Sequence, residues 1–310
     1  MSPSMIDIRA PTSVDFGKLF LLGAIWGSSF LWIELALRDF GPLTIATGRL
    51  LIGALVLQSI AFATGQRLPR GPGIWRLLII VSVLNAALPF FLINFGQARA
   101  GAGNTAILIG AGPFVALVMS HIYTGDDRIT LMKTIGMMLG FAGVLSLVGV
   151  EAFVGDGAAL IGQLAVVGAA VSYAASGLMT RWLAPIPVLV SAAWVLTLGT
   201  IYMVPISFLV ENPLAVRPSL EGLGALLMLS LFATALAYML RYQITREVGA
   251  VFMSQVAYLV PVFGVLWTWI FLGQEPSVSA YFALGLILAG IYVSRLRLRG
   301  EKSDVSSSSK

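Results

Sequence analysis

The stretch AGAGNTAILIGAGPFVALVMSHIYTG at residues 100–125 and the stretch VGAVFMSQVAYLVPVFGVLWTWIFLG at residues 248–273 share one skeleton. Gly101, Pro113 and Gly125 in the first correspond to Gly249, Pro261 and Gly273 in the second, each pair 148 residues apart. Leu78/Leu226, Ser82/Ser230, Leu88/Leu236 and Leu92/Leu240 repeat the same offset upstream. Apolar matches alone carry little weight in so hydrophobic a chain. Glycine and proline markers at one offset carry more, and they predict an internal duplication.

The composition says what is duplicated. Of 310 residues, 58% are hydrophobic and 11% charged, and mean hydropathy is +0.93. A soluble domain carries about 25% charged residues, so much of this surface must face lipid. A spanning helix needs about 20 mostly apolar residues. Ten such segments are read at roughly 17–38, 42–64, 74–98, 103–124, 130–150, 157–181, 188–210, 220–246, 250–272 and 277–296. Turns at Gly41-Pro42, Pro69-Arg70-Gly71-Pro72, Asp126-Asp127, Pro185-Ile186-Pro187 and Glu275-Pro276 separate them.

The fold class expected is therefore an all-α integral membrane protein. Ten transmembrane helices form two five-helix repeats around a central cavity. Because five is odd, the second copy must sit inverted relative to the first, a design that recurs in transporters. Residues 1–16 are read as a cytoplasmic N-terminal segment, 17–150 and 157–297 as the repeats, and 298–310 as a disordered, Ser-rich cytoplasmic tail. With the N-terminus inside, 14 of the 19 Lys and Arg fall on the cytoplasmic side. Arg38, Arg99 and Arg217 fall outside, and Arg49 and Arg241 lie within spans. This asymmetry places both termini in the cytoplasm. The N-terminus does not read as a cleaved signal.

Several functions are disfavoured. The net charge is +5, but the basic residues are dispersed among loops, so no nucleic-acid stripe exists. With no cysteine and one histidine, thiolate chemistry and Cys-ligated metals are excluded, and no metal site or cofactor is expected. Gly101-Ala102-Gly103 and Gly110-Ala111-Gly112 lack the strand context of a nucleotide loop. A membrane-embedded enzyme would have only Asp126, Asp127 and His121 to work with, and a proton relay through His121 alone is the weaker reading. The partners expected are a small-molecule substrate and the lipid bilayer. The small-residue ridges Gly23-xxx-Gly27, Gly136-xxx-Gly140 and Gly168-xxx-Ser172-xxx-Ser176 are read as packing within a monomer rather than as a dimer seam.

Polar and aromatic residues inside spans mark the candidate site, because lipid offers them no partners. In span eight Thr234, Tyr238, Arg241 or Tyr242, and Thr245 recur on one helical face. In span three Phe90, Asn94 and Gln97 stand at the positions of Tyr238, Tyr242 and Thr245. Asn85 and Ser29 add polar groups, as do Gln255 and Tyr258 ahead of Pro261. Trp26 and Tyr173, at similar depths in the first helix of each repeat, offer aromatic faces for stacking or cation–π contact. The alternatives are interhelical hydrogen bonding and lipid-facing aromatics. Pro89, Pro113 and Pro261 are hinge candidates, since a mid-helix proline frees a carbonyl. Glu34 and Arg49, one near each arm of a short turn, are expected to pair, either as a structural tie or as an outer gate. Arg241 either meets a substrate carboxylate or snorkels to the interface.

Ile25-Trp26-Gly27-Ser28-Ser29-Phe30 followed by Gly48-Arg49-Leu50-Leu51 resembles the opening of an EamA repeat, from the drug/metabolite transporter (DMT) superfamily. Gly103-Asn104-Thr105-Ala106, Gly112-Pro113-Phe114 and Tyr123-Thr124-Gly125-Asp126 are similar to its fourth helix. Gly249-Ala250, Tyr258-Leu259-Val260-Pro261-Val262-Phe263 and Phe271-Leu272-Gly273-Gln274-Glu275 resemble the second copy, and Gly285-Leu286-Ile287-Leu288-Ala289-Gly290 its last helix. The resemblance covers about Leu19 to Arg295 and implies ten helices in inverted repeats. It also implies export of small metabolites such as amino acids from a bacterial inner membrane. In length and general character the chain is similar to the YddG-type aromatic amino-acid exporters. Multidrug, nucleoside or other metabolite export by the same fold is the alternative. Two departures stand out. The Gly-Glu ending is Gly125-Asp126 in one copy and Gly273-Gln274-Glu275 in the other. Ser172-Tyr173-Ala174-Ala175 replaces Trp26-Gly27-Ser28-Ser29, so a symmetric cavity is not expected.

Overall fold

The computed structural model describes residues 9–66, 68–123, 130–148, 157–183, 186–294 and 296; the side chains of Ser120, Val148, Arg181, Tyr242, Arg246, Ala250 and Val251 lie outside that description. Gly125, Asp126, Asp127, Pro185 and the 298–310 tail fall beyond it too. Every regular element among the described residues is helical. Among the described residues seven helical stretches are long and apolar enough to cross a membrane. Three shorter apolar ones, Leu131–Leu147, Val256–Leu272 and Val278–Ser294, accompany them.

In chain order the helices are α1 (Ser13–Ala36), α2 (Pro42–Ala63), α3 (Pro72–Ser82), α4 (Leu88–Ala100), α5 (Ala102–Ile109), α6 (Gly112–Tyr123) and α7 (Leu131–Val148). They continue as α8 (Ala158–Thr180), α9 (Val188–Val210), α10 (Leu220–Ser230), α11 (Ala237–Glu247), α12 (Ala250–Met253), α13 (Val256–Leu272) and α14 (Val278–Ser294). Local chemistry fixes several ends. The Thr12 backbone N–H and hydroxyl both donate to Asp15 Oδ2, at 2.8 and 2.7 Å, and start α1. Pro42 and Pro72 occupy first turns, where the missing N–H has no helical partner to lose. Gly101 and Gly249 precede α5 and α12 with φ of 79° and 100°, a region that a side chain strains.

A π-helical segment, Val83–Ala87, joins α3 to α4, and another, Leu231–Leu236, joins α10 to α11. They begin 148 residues apart, at the offset of the Gly101/Gly249 pair. A π turn disturbs the α-helical carbonyl ladder, and here side chains bond to it. Ser172 Oγ donates to the Leu84 carbonyl at 2.9 Å, and Thr234 Oγ1 to the Leu229 carbonyl at 3.1 Å.

Helix packing follows small residues. Gly23 and Gly27 of α1 lie against Leu259 and Phe263 of α13, and Gly136 and Gly140 of α7 against Gly290 of α14. All of these contacts are within the chain. The α2–α9 pair runs antiparallel: Thr44 meets Ser207, Thr47 meets the Met203 carbonyl, and Leu50 meets Gly199. The α7–α14 pair is antiparallel too, with Gly136 near Ser294 and Gly143 near Ala283. So is α5–α13, with Ala106 against Gly264 and Gly110 against Pro261. Outward-facing Phe20, Leu55, Phe62, Leu145, Ile201, Leu209 and Ile270 are exposed, an apolar belt that lipid solvates and water would not.

Candidate functional site

Arg49 of α2 is the centre of the polar cluster. Its side chain is 6% exposed. Nε donates to Thr234 Oγ1 at 2.6 Å and Nη2 to the Ala233 carbonyl at 3.4 Å, both on the second π segment. The Phe90 ring of α4 covers the guanidinium, 3.9 Å from Cζ to centroid. Tyr173 of α8 and Tyr238 of α11 lie within its electrostatic reach. A buried arginine costs about 2.5–3.5 kcal/mol on insertion scales, and the tilted π carbonyl and threonine hydroxyl offset part of that.

A hydrogen-bond chain lines the other side. The Tyr238 hydroxyl donates to Asn85 Oδ1 at 3.2 Å. Asn85 Nδ2 donates to Ser176 Oγ at 2.6 Å, and that hydroxyl to the Tyr173 carbonyl at 3.1 Å. Tyr173 and Tyr238 also lie within reach of Arg241, which is exposed. The cluster thus draws on α2, α4, α8, α11 and both π segments. Of the residues expected from sequence, it unites Asn85, Phe90, Tyr173 and Tyr238, with Arg241 at its edge.

Other expectations need correction. Glu34 and Arg49 do not pair. Glu34 accepts from Gln97 Nε2 at 2.9 Å and from Gln274 Nε2 at 3.4 Å, while Arg49 faces the second π segment. A short turn brings two helices together but does not fix which face each residue occupies. Asn94 is fully buried, and its Nδ2 ties α4 to the Pro42 carbonyl at 3.0 Å. Trp26 packs against a separate apolar cluster that includes Leu19, Leu22, Ala237 and Ile244, and Ser29 is buried on α1. Tyr258 donates to the Ile291 carbonyl of α14 at 3.1 Å, and Gln255 occupies the α12–α13 junction. The Tyr242 side chain lies outside the described residues.

The prolines also shift in meaning. The helix interruption in the fourth apolar segment falls at Gly110-Ala111, before Pro113, which sits in the first turn of α6. Pro261 stays within α13, its ring against Gly110, while the break falls earlier at Ser254-Gln255. Pro89 follows the first π segment in the opening turn of α4. The interruptions fall at Gly110-Ala111, at Ser254-Gln255 and at the π segments, with proline beside three of them.

The two ends are tied differently. At the α1–α2 loop end, Arg38 pairs with Glu221 at 3.0 Å, and Asp39 accepts from Ser219. Two cavities open at this end. One of about 460 Å³ is bordered by Glu34, Arg38, Pro42 and Gln274, and one of about 220 Å³ by Asn104, Thr268 and Glu275. At the opposite end, Glu247 meets Arg9 at 3.0 Å and Lys18 at 3.2 Å. Hydrogen bonds from Gln243 and then Lys18, with Arg9 adding, hold the Glu247 carboxyl below its ordinary range against the opposing effect of burial. Sequence reasoning missed Glu211 and Glu247 as ties, because their partners are remote in the chain. Among the described residues no group of three acidic or histidine side chains could hold a metal.

These features define a multi-pass helical membrane protein with a buried polar cluster where its halves meet. The family model described as the EamA-like transporter family matches residues 17–149 and again 160–296, and the chain belongs to that family. It is a membrane transporter. It is 25% identical over 271 residues to the uncharacterized transporter YoaV of Bacillus subtilis, covering 87% of this chain and 92% of that one. It is 26% identical over 284 residues to the uncharacterized inner membrane transporter YedA of Escherichia coli K12, covering 91% and 90%. A solved crystal structure superposes with TM-score 0.68 at 20% identity, covering 92% of this chain and 97% of the other, which shows a shared fold.

Proposed function

We propose that the chain has ten spans in two inverted five-helix repeats, 17–150 and 157–297, and exports small metabolites, amino acids foremost, by alternating access. One observation carries this reading. The pairs α2/α9 and α7/α14 are made of helices that correspond in the two copies and run antiparallel, and the fourth and ninth spans meet antiparallel through α5 and α13. Copies repeated in the same orientation would give parallel pairs. The matching π segments add support. They soften the third and eighth spans at equivalent depths, beside the Arg49–Tyr173–Tyr238 cluster, where a solute site between rocking halves belongs. The ties at the two ends serve as the contacts exchanged between outward- and inward-open states. The excess of Lys and Arg on one side supports cytoplasmic termini, and the inner-membrane relative supports a bacterial inner membrane.

The test uses proteoliposomes loaded with a panel of amino acids, nucleosides and cationic dyes. Saturable counterflow of one class is expected. Absence of flux for all of them, from protein shown to be folded, sinks the reading. Topology is checked separately. The chain has no cysteine, so Ser4→Cys and Ser306→Cys report cleanly on the termini. Both should react with a membrane-impermeant maleimide only from the cytoplasmic side; opposite sides would refute the inverted arrangement.

A further inference from the structure

We propose that the solute is a small organic anion, and that the free edge of the Arg49 guanidinium holds its carboxylate between the Tyr173 and Tyr238 hydroxyls. This deepens the transport reading and rests on it.

The argument begins with charge. Among the described residues Arg49 has no carboxylate partner. Glu34 is engaged by Gln97 and Gln274, and Glu247 by Arg9, Lys18 and Gln243. A second cation, Arg241, reaches the same two tyrosines, and again no described acid pairs with it. The buried Arg49 guanidinium, with the exposed Arg241 at the edge of the same cluster, leaves a positive charge that no described acid neutralises. An anion drawn from solution would neutralise it.

The geometry specifies the anion. A guanidinium carries five N–H donors in a planar fork. Arg49 uses Nε and Nη2 on Thr234 and Ala233. Nη1 makes no hydrogen bond among the described residues, yet it is not one of the sealed atoms that lack a partner. It therefore belongs to the small part of Arg49 that remains open. Phe90 blocks one face, so a ligand must approach in the plane, as a carboxylate does. Tyr173 supplies a hydroxyl donor, Tyr238 a second once its proton turns from Asn85 Oδ1 to the carboxylate, and both rings form apolar walls for the solute's body. Among the described residues no anionic group is placed to receive an ammonium. Recognition therefore depends on the carboxylate, and the amine of an amino acid adds little.

The experiment is thermal unfolding of the detergent-solubilised full chain with butyrate, 3-phenylpropionate, phenylalanine or phenethylamine. The three carboxylates should raise the melting temperature with saturation, and phenethylamine should not. Arg49→Gln should weaken 3-phenylpropionate binding at least about tenfold, whereas Arg99→Gln, which removes an exposed charge elsewhere, should leave it unchanged. Should Arg49→Gln not fold, Arg49→Lys and Tyr173→Phe take its place, each expected to bind more weakly. The proposal is overturned if no carboxylate binds at millimolar concentration, if phenethylamine binds as well as 3-phenylpropionate, or if the folded variants bind like wild type. Flux of another solute class without carboxylate binding would sink this inference and leave transport standing. Carboxylate binding without flux of any solute would do the reverse.

Discussion

Thr44 and Glu211 are joined twice: the Thr44 backbone N–H and its hydroxyl both donate to Glu211 Oε2, each at 2.7 Å. Leu43 N–H donates to the other carboxylate oxygen at 3.0 Å. One carboxylate from the C-terminal end of α9 therefore caps the N-terminus of α2, where unpaired N–H groups and the helix dipole favour negative charge. The link crosses 167 residues of chain and joins the halves at the loop end.

Removing that cap should destabilise the fold without touching the polar cluster. Hydrogen bonds to charged groups contribute about 1.5–3 kcal/mol, so Glu211→Ala should lower stability by about that much, and Glu211→Gln by less. Thermal unfolding in detergent measures it. A melting temperature unchanged in both variants would show that the cap contributes nothing.

The α1–α13 contact predicts a contrast between two glycines. A Cβ at Gly27 would lie 2.5 Å from Phe263 Cβ and 2.9 Å from the Gly264 nitrogen. Overpacking of this kind costs about 1–3 kcal/mol, so Gly27→Ala should reduce both stability and yield. Gly17, on the same helix, has nothing within 4 Å of a Cβ. Gly17→Ala should be neutral or gain up to about 1 kcal/mol from helix propensity. Equal behaviour of the two would refute the close contact.

The repeat was legible because Gly101 and Gly249 need φ values that only glycine adopts freely, so chain geometry left its mark on sequence. The π segments left no such mark. Val83–Ala87 is followed by Pro89, but Leu231–Leu236 has no proline near it; its hydrogen bonds go to Thr234 and to Arg49 from another helix. The same limit explains the Glu34–Arg49 error. Proximity along the chain was readable, whereas the rotation of each helix is set by packing, of α1 chiefly against α13 and of α2 chiefly against α9. Polar spacing picked out Asn85, Tyr173 and Tyr238 beside Arg49 together with Asn94, which bonds the Pro42 carbonyl instead, because polar character alone does not say which partner a side chain meets.

Acid should loosen the strap that Arg9 and Lys18 form with Glu247. The folded-state pKa of Glu247 is depressed, so the stabilisation is fully present above the unfolded value of about 4.3 and is lost as pH falls through the lower folded value. At pH 7 Glu247→Gln should melt below wild type. Titrated downward from pH 5, the gap should close. A gap that stays constant down to pH 3 would show that Glu247 does not titrate as this linkage requires.

The last contrast separates the solute site from its scaffold. Tyr238→Phe removes one hydroxyl and its bond to Asn85 while keeping the ring, so folding should be nearly unchanged. If Tyr238 faces the solute, the half-saturating concentration in proteoliposome flux should rise several-fold, and the melting temperature should move little. Asn94→Ala should behave oppositely. It breaks a buried tie to the Pro42 carbonyl, and a buried acceptor left without its donor costs about 1–3 kcal/mol. The variant should therefore melt earlier yet retain wild-type selectivity wherever it remains folded. Altered selectivity in Asn94→Ala with unaltered kinetics in Tyr238→Phe would move the solute path away from α11 and toward the cavity beside Glu34 and Pro42.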